Sequence, residues 1–421
     1  MVDAAGHVRG LPHAYRDPSN AAGKRRVLDR LPGGLAELYT RTGIQPLPFN
    51  TLFQMEARRE ACPASFDTLA EHGTLLLLPD LLHYWLTGVV ASESTNASTT
   101  GMLSCRTGEW DVDLLRSVSL PTALLPAVRE PGAPLGTVLP EVRAACAITH
   151  EVQVVVPATH DTASAVAAVP AASAGWGYLS SGTWSLLGVE LDEPIVTPAA
   201  LAAGFTNERA ADGRFRLLRN IAGLWLQQQL QRDLSEQRGE HYEHAELAAL
   251  GAEAEPLRTV IDPNHPDLAD PGGSIAKLTR LASERGEPVP TTAGQLARCY
   301  FDGLALCYAE TARLIEQTTG TTLQRLHVVG GGSKNRLLNQ LTADACRLPV
   351  AAGPSEATAM GNVLMQARGL GRVRGADELR AIVGRSEPVE HFEPQADAAL
   401  WQAAGQRFHQ AAYRHDSGAQ Q

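Results

Sequence analysis

Residues 152–184 constrain the fold more than any other stretch. Val152-Gln153-Val154-Val155-Val156-Pro157 is a short β-branched run closed by a proline, and Ala158-Thr159-His160-Asp161-Thr162-Ala163-Ser164-Ala165-Val166 follows it. The run reads as a buried strand. Pro157 ends its ladder, and Thr159 or Asp161 can cap the alanine-rich helix behind it. Asp161 then sits at the carboxyl end of a strand and the amino end of a helix, where open α/β sheets usually place ligand chemistry. The helix dipole favours negative charge there, and a positioned carboxylate can accept a proton. On local pattern alone, the plainer reading of Asp161 is an N-cap.

Two further signals change the balance. Gly177-Tyr178-Leu179-Ser180-Ser181-Gly182-Thr183-Trp184-Ser185-Leu186-Leu187-Gly188 reads as a tight hairpin. Its backbone N–H groups and hydroxyls can cradle phosphate oxygens. Leu326-His327-Val328-Val329-Gly330-Gly331-Gly332-Ser333-Lys334-Asn335 reads as a strand, a glycine turn and a helix. Glycines there allow close backbone approach to a nucleotide, with a helix amino end available for anionic groups. The pattern is neither G-x-x-x-x-G-K-[ST] nor G-x-G-x-x-G.

Together, Ala158–Ala165, Leu179–Ser185, Val329–Gly332 and Gly353-Pro354-Ser355-Glu356-Ala357 resemble the FGGY carbohydrate kinases. Supporting stretches are Pro48-Phe49-Asn50-Thr51-Leu52, Thr95–Thr100 and Asn220-Ile221-Ala222-Gly223-Leu224-Trp225. Within the family, the motifs are most similar to those of the kinases that act on L-rhamnulose. The resemblance implies an α/β chain of two ribonuclease-H-like domains, of the actin and sugar-kinase type, with an interdomain cleft. It implies ATP and Mg2+ as cofactors and L-rhamnulose 1-phosphate as product. Asp161 becomes the general base. His160, Asp161, Thr162 and Asn220 become sugar contacts. Thr183, Gln228 and Gly331 become ATP contacts, and no residue is assigned to a metal.

Composition excludes other classes. A net charge of −10 and a pI near 5.7 argue against nucleic acid as the main partner. No apolar run approaches the ~20 residues needed to cross a bilayer, and no signal peptide opens the chain. Six scattered cysteines without a C-x-x-C pair suggest reduced thiols in a cytoplasm. The alternatives kept open are a fuculose or xylulose kinase, an inactive nucleotide- or sugar-binding protein, and an actin-like ATPase module.

The expected organisation is a first domain at 1–168, a second at 169–393, and a terminal helix with a polar tail at 394–421. The strand-helix units imply mainly parallel sheets. Pro79 starts a helix that Gly88 ends. Thr95–Thr100 reads equally as a polyol-lining segment or a solvated loop. Asn220–Arg232 reads as a helix capped by Asn220 with Trp225 buried, and Gln295–Gln317 as an amphipathic helix closed by Gly320. Residues 233–294 give little signal. Met1–Gly10 reads as strand, turn and strand. The resemblance implies a phosphate-binding hairpin upstream of it, so the expectation is a first domain truncated at its amino end, with an open sheet edge and weak kinase activity.

Overall fold

The chain's alternation of short β-branched runs and alanine- or leucine-rich helices builds two units, each discontinuous in sequence. The computed structural model describes residues 1–416. One unit comprises residues 1–167, 190–218 and 358–379, and the other residues 168–189, 219–357 and 380 onward.

The first unit is mostly helical. Val27, Leu38, Leu52, Phe53, Phe66, Met102 and Leu114 form its core, contributed by the helices Ser19–Arg30, Gly34–Thr42, Thr51–Ala61, Pro63–His72 and Val112–Ser117 among others. Leu78–Thr87 begins with Pro79 in its first turn and ends at Gly88, whose φ is 72°. Glycine adopts that left-handed region without strain. Val2 bridges both Val8 and Thr74, so the opening residues do form a small turn with paired flanks.

Two readings change in this unit. The run at 152–156 is not a buried strand of a parallel sheet. Gln153–Val155 pairs antiparallel with Pro134–Thr137 in a two-stranded ribbon, with Gln153 exposed and Val155 buried. β-Branched residues suit any pleated, half-buried surface, so their run did not specify the number of neighbours. The hydroxyl-rich stretch is no solvated loop. Ser94–Ser98 is a helix, and Ser94, Thr95, Ser98 and Thr100 are buried.

The second unit is organised by a sheet. Trp176–Ser181 and Trp184–Leu191 form the expected hairpin, with Ser181 opposite Ser185. Trp176–Ser181 also runs parallel to Arg325–Val329, which runs parallel to Val350–Ala352. Glu390–Phe392 adds antiparallel beyond that. The strand Phe215–Ala222 runs from the first unit into the second. The long helix Ala293–Thr319 starts with Thr292 Oγ1 accepting from the Gln295 N–H and ends at Gly320, φ 71°. Cys299 and Cys307 lie buried on it, and all six cysteines are free thiols.

Asn220 is not a helix cap. It lies in the Phe215–Ala222 strand, and the helix begins later, at Trp225–Arg238. The reason is local. A Cβ on Gly223 would sit 2.3 Å from the Trp184 carbonyl carbon, so the backbone there lies flat on the hairpin before it can turn into a helix. Trp225 is half-buried rather than buried. Residues 233–294, silent in sequence, hold the helices His244–Glu253 and Ser274–Glu284. The helix expected after residue 394 is Ala398–Asp416, and the polar end beyond it lies outside the described residues.

Candidate active site

Asp161 opens the helix Asp161–Ala167 and is not its cap. The His160 carbonyl accepts the first helical N–H bonds, from Ala163 and Ser164. Among the described residues the Asp161 carboxylate accepts only from its neighbour Thr162, at 2.6 Å from the N–H and 3.4 Å from the hydroxyl, and its side chain is 80% exposed. It therefore stands in the helix dipole with a face open to reactants. Thr159 is not a cap either: its N–H and hydroxyl both donate to Glu93.

His160 is held from behind. Arg216 Nη2 lies 3.4 Å from His160 Nδ1, and Arg216 pairs with Glu208 at 2.9 Å. The Arg216 side chain is fully buried. A guanidinium can only donate, so Nδ1 is the acceptor and Nε2 carries the ring N–H, 4.0 Å from the Glu208 carboxylate. Thr162 is buried against the same turn. Behind the Asp161 helix, Ala357–Gly369 packs so closely that a Cβ on Gly361 would sit 1.9 Å from the Ser164 carbonyl oxygen. His160, Asp161 and Thr162 are thus one cluster, in the first unit.

The remaining candidates lie in the second unit. Gln228 and Gly331 line one cavity of about 720 Å³. Its wall is the face of the His244–Glu253 helix that carries Ala245, Ala248, Ala249 and Ala252, with Leu337 also in the lining and Lys334 supplying a cation. Such a wall suits a flat, largely apolar ring with an anionic group attached. Thr183 and Asn220 are not among the lining residues. Thr183 is exposed in the hairpin turn, and its carbonyl accepts from the N–H of Trp225, at the start of the helix that carries Gln228. Asn220 is half-buried on its strand.

The glycine turn divides its labour. A Cβ on Gly332 would meet Ser181 Oγ at 2.0 Å, and one on Gly330, whose φ is 85°, would meet the Ser181 carbonyl oxygen at 2.9 Å. A Cβ on Gly331 would meet nothing within 4 Å. The flanking glycines seat the turn on the hairpin, and the middle one faces open space.

Sequence reasoning missed the alanine wall and the two buried holders, Glu93 and Arg216. Alanines at 245, 248, 249 and 252 repeat at helical spacing, which was the available signal. The contacts that tie Glu93 to Thr159 and Arg216 to His160 join residues distant in sequence, so no local pattern marks them.

Comparison with known proteins agrees with this architecture. Residues 19–168 match the N-terminal domain, and residues 177–370 the C-terminal domain, of the FGGY family of carbohydrate kinases. A rhamnulokinase of Enterobacter sp. (strain 638) is 41% identical over 399 residues, covering 94% of this chain and 78% of the relative. One from Bacteroides thetaiotaomicron is 38% identical over 404 residues, covering 96% and 81%. Among solved structures, the ligand-bound xylulose kinase of Lactobacillus acidophilus superposes with a TM-score of 0.77 at 15% identity, covering 100% of this chain and 82% of that one. Plasmodium falciparum glycerol kinase with ADP gives 0.71 at 15% identity, covering 95% and 78%. The fold is the two-domain sugar-kinase fold of the actin and ribonuclease H type. The chain belongs to the FGGY family of carbohydrate kinases and is a sugar-kinase phosphotransferase.

Proposed function

We propose that this kinase transfers the γ-phosphoryl group of ATP to L-rhamnulose, giving ADP and L-rhamnulose 1-phosphate. The substrate is the one that the names of the relatives at 38% to 41% identity carry. The observation that carries the chemistry is the open Asp161 carboxylate beside an oriented His160. The sugar hydroxyl oxygen forms a bond to the γ-phosphorus, the bond from that phosphorus to the leaving ADP oxygen breaks, and the hydroxyl proton passes to Asp161. Phosphoryl transfer asks the protein mainly to position groups and to neutralise charge, and a positioned base adds to that.

His160 and Thr162 hold the sugar near Asp161, and Asn220 adds a sugar contact. Gln228 and Gly331 bound the space for the nucleotide base, with Thr183 at the phosphates. Magnesium ions are usually held by one or two carboxylates together with substrate phosphates. Among the described residues, no group of three or more His, Cys, Asp or Glu side chains could hold a metal alone. Among those residues no helix is long and apolar enough to cross a membrane.

The test is ADP release with ATP and magnesium, comparing L-rhamnulose with L-fuculose and D-xylulose at equal concentrations. The expected result is a kcat/KM highest for L-rhamnulose. A clear preference for another ketose would replace the substrate, and ketose-independent ADP release would overturn the kinase reading of this site.

A further inference from the structure

Glu93 is buried, with a relative exposure of 1%, and a buried charge is costly unless it is hydrogen-bonded. Its carboxylate accepts from six donors. Thr95 supplies its N–H and its hydroxyl, both at 2.6 Å, Asn96 its N–H at 3.1 Å and Ser94 its hydroxyl at 3.4 Å. Those bonds are what a cap of the Ser94–Ser98 helix requires. The other two are not. Thr159 donates its N–H at 2.9 Å and its hydroxyl at 2.7 Å, from 66 residues away. The His160 N–H donates to the Thr95 hydroxyl at 3.3 Å. The carboxylate and its cap partner therefore engage two consecutive amides, those of Thr159 and His160, immediately before Asp161.

We propose that Glu93 is a positioning residue for phosphoryl transfer, clamping Thr159 so that the turn presents His160 and Asp161 to the sugar. The inference rests on the reading of Asp161 as proton acceptor given above. A neighbouring carboxyl group supports the clamp. Asp80, on the Leu78–Thr87 helix, accepts the Glu93 N–H at 3.1 Å. Burial pushes the Asp80 carboxyl up to about 7, and the Glu93 charge adds to that rise. A second negative charge beside Glu93 is thereby disfavoured, leaving the Glu93 oxygens to their donors.

The experiment compares Glu93→Ala, Thr159→Val and Thr159→Ser in the full chain, with kcat, KM for L-rhamnulose and KM for ATP measured for each, and melting temperature as the fold control. Displacing a reacting group by about 1 Å can cost on the order of 10²-fold. The expected results are a kcat about 10- to 100-fold lower for Glu93→Ala, a smaller loss for Thr159→Val, and near-parental kcat for Thr159→Ser, which keeps the donor. KM for ATP stays within about twofold throughout. In an Asp161→Asn background, Glu93→Ala adds little further loss. A folded Glu93→Ala enzyme with kcat within about twofold of the parent overturns the inference. So does an equal loss in Thr159→Val and Thr159→Ser, or a loss fully additive with Asp161→Asn. If Glu93→Ala does not fold, the two Thr159 variants decide alone. Should Asp161→Asn itself turn over like the parent while Glu93→Ala is impaired, the clamp stands and the assignment of Asp161 as base falls.

Discussion

The turn at residues 158–162 and the turn at 330–332 both lead from a strand into a helix, and they are held by opposite means. The first is held by charge: Glu93 grips Thr159, and the Arg216–Glu208 pair backs His160. The second is held by contact, with Gly330 and Gly332 pressed onto Ser181. Each leaves one position open, the Asp161 carboxylate in the first and the Gly331 backbone in the second. A turn held by charge responds to the loss of an ionised partner, whereas a turn held by contact fails when a single methyl group is added.

The largest effect should come from the open position of the charged turn. Asp161→Asn keeps size and hydrogen-bonding capacity but removes the proton acceptor, and kcat should fall by at least ~10²-fold, the usual worth of general-base catalysis. Affinity for L-rhamnulose should change little. Steady-state kinetics and calorimetry read the two separately, and a variant within a few-fold of parental turnover would remove Asp161 from the chemistry.

The contact-held turn is broken by different changes. Gly332→Ala places a methyl 2.0 Å from Ser181 Oγ and 2.5 Å from its Cβ, so rotation of the hydroxyl alone does not relieve the clash. Ser181 is buried, and the expected loss is ~1–3 kcal/mol of stability by urea unfolding. Gly331→Ala meets no atom and should stay within ~0.5 kcal/mol of the parent. Gly331→Val should leave the fold intact while raising KM for ATP, because its side chain enters the cavity. Equal stabilities for the alanine variants at 331 and 332 would erase the division of labour within the turn.

The contrast also explains what the sequence made legible. Glycines, prolines and small-residue runs announce backbone geometry locally, so the hairpin at 176–191, the glycine turn, the Gly88 and Gly320 helix ends and the long helix at 293–319 could be read directly. Thr-His-Asp marked its cluster because three chemical groups stand side by side in the chain. The clamp could not be read, since Glu93 and Thr159 meet only in the folded unit. The strand at 152–156 misled because β-branched residues suit a two-stranded ribbon as well as a central position. Asn220 misled because capping residue types also occur at strand ends, and the decisive contact, Gly223 on Trp184, is tertiary.

A pH experiment separates the two units. In the first, Asp80 is raised from 3.8 to about 7 by burial, with the Glu93 charge adding to it. The folded chain then holds a proton between pH ~4 and ~7 that the unfolded chain has lost, so stability falls as pH rises through that window. In the second, burial lowers His327 from 6.5 to about 4, with Arg325, His391 and Arg380 contributing. There the unfolded chain takes up the proton first, and stability falls as pH drops from 6.5 towards 4. Asp80→Asn should stabilise the chain at pH 8 by ~1–2 kcal/mol, since a tenfold difference in proton affinity corresponds to about 1.4 kcal/mol. It should leave the acid-side loss in place. Urea unfolding at pH 5 and pH 8 measures both. An Asp80→Asn variant with the parental slope between those values would mean Asp80 is not the group that titrates.

The smallest effect belongs to Thr183, between the two extremes. Its carbonyl is already engaged by the Trp225 N–H, so the turn is held through the main chain, while the residue is exposed and its hydroxyl contributes no hydrogen bond to that hold. Thr183→Val keeps nearly the same volume and the same backbone bond, and should therefore leave stability unchanged. If the hydroxyl meets a phosphate oxygen, the variant loses one hydrogen bond, typically worth ~0.5–1.5 kcal/mol. The expected outcome is a kcat/KM for ATP lower by about 3- to 10-fold, with KM for L-rhamnulose unaltered. Because the Val variant differs from the parent only in a donor and acceptor at an exposed position, a kinetic change confined to ATP places that position at the nucleotide. A variant with unchanged ATP kinetics would restrict the hairpin's role to seating the glycine turn through Ser181, and the nucleotide site would then rest on Gln228, Gly331 and the alanine wall.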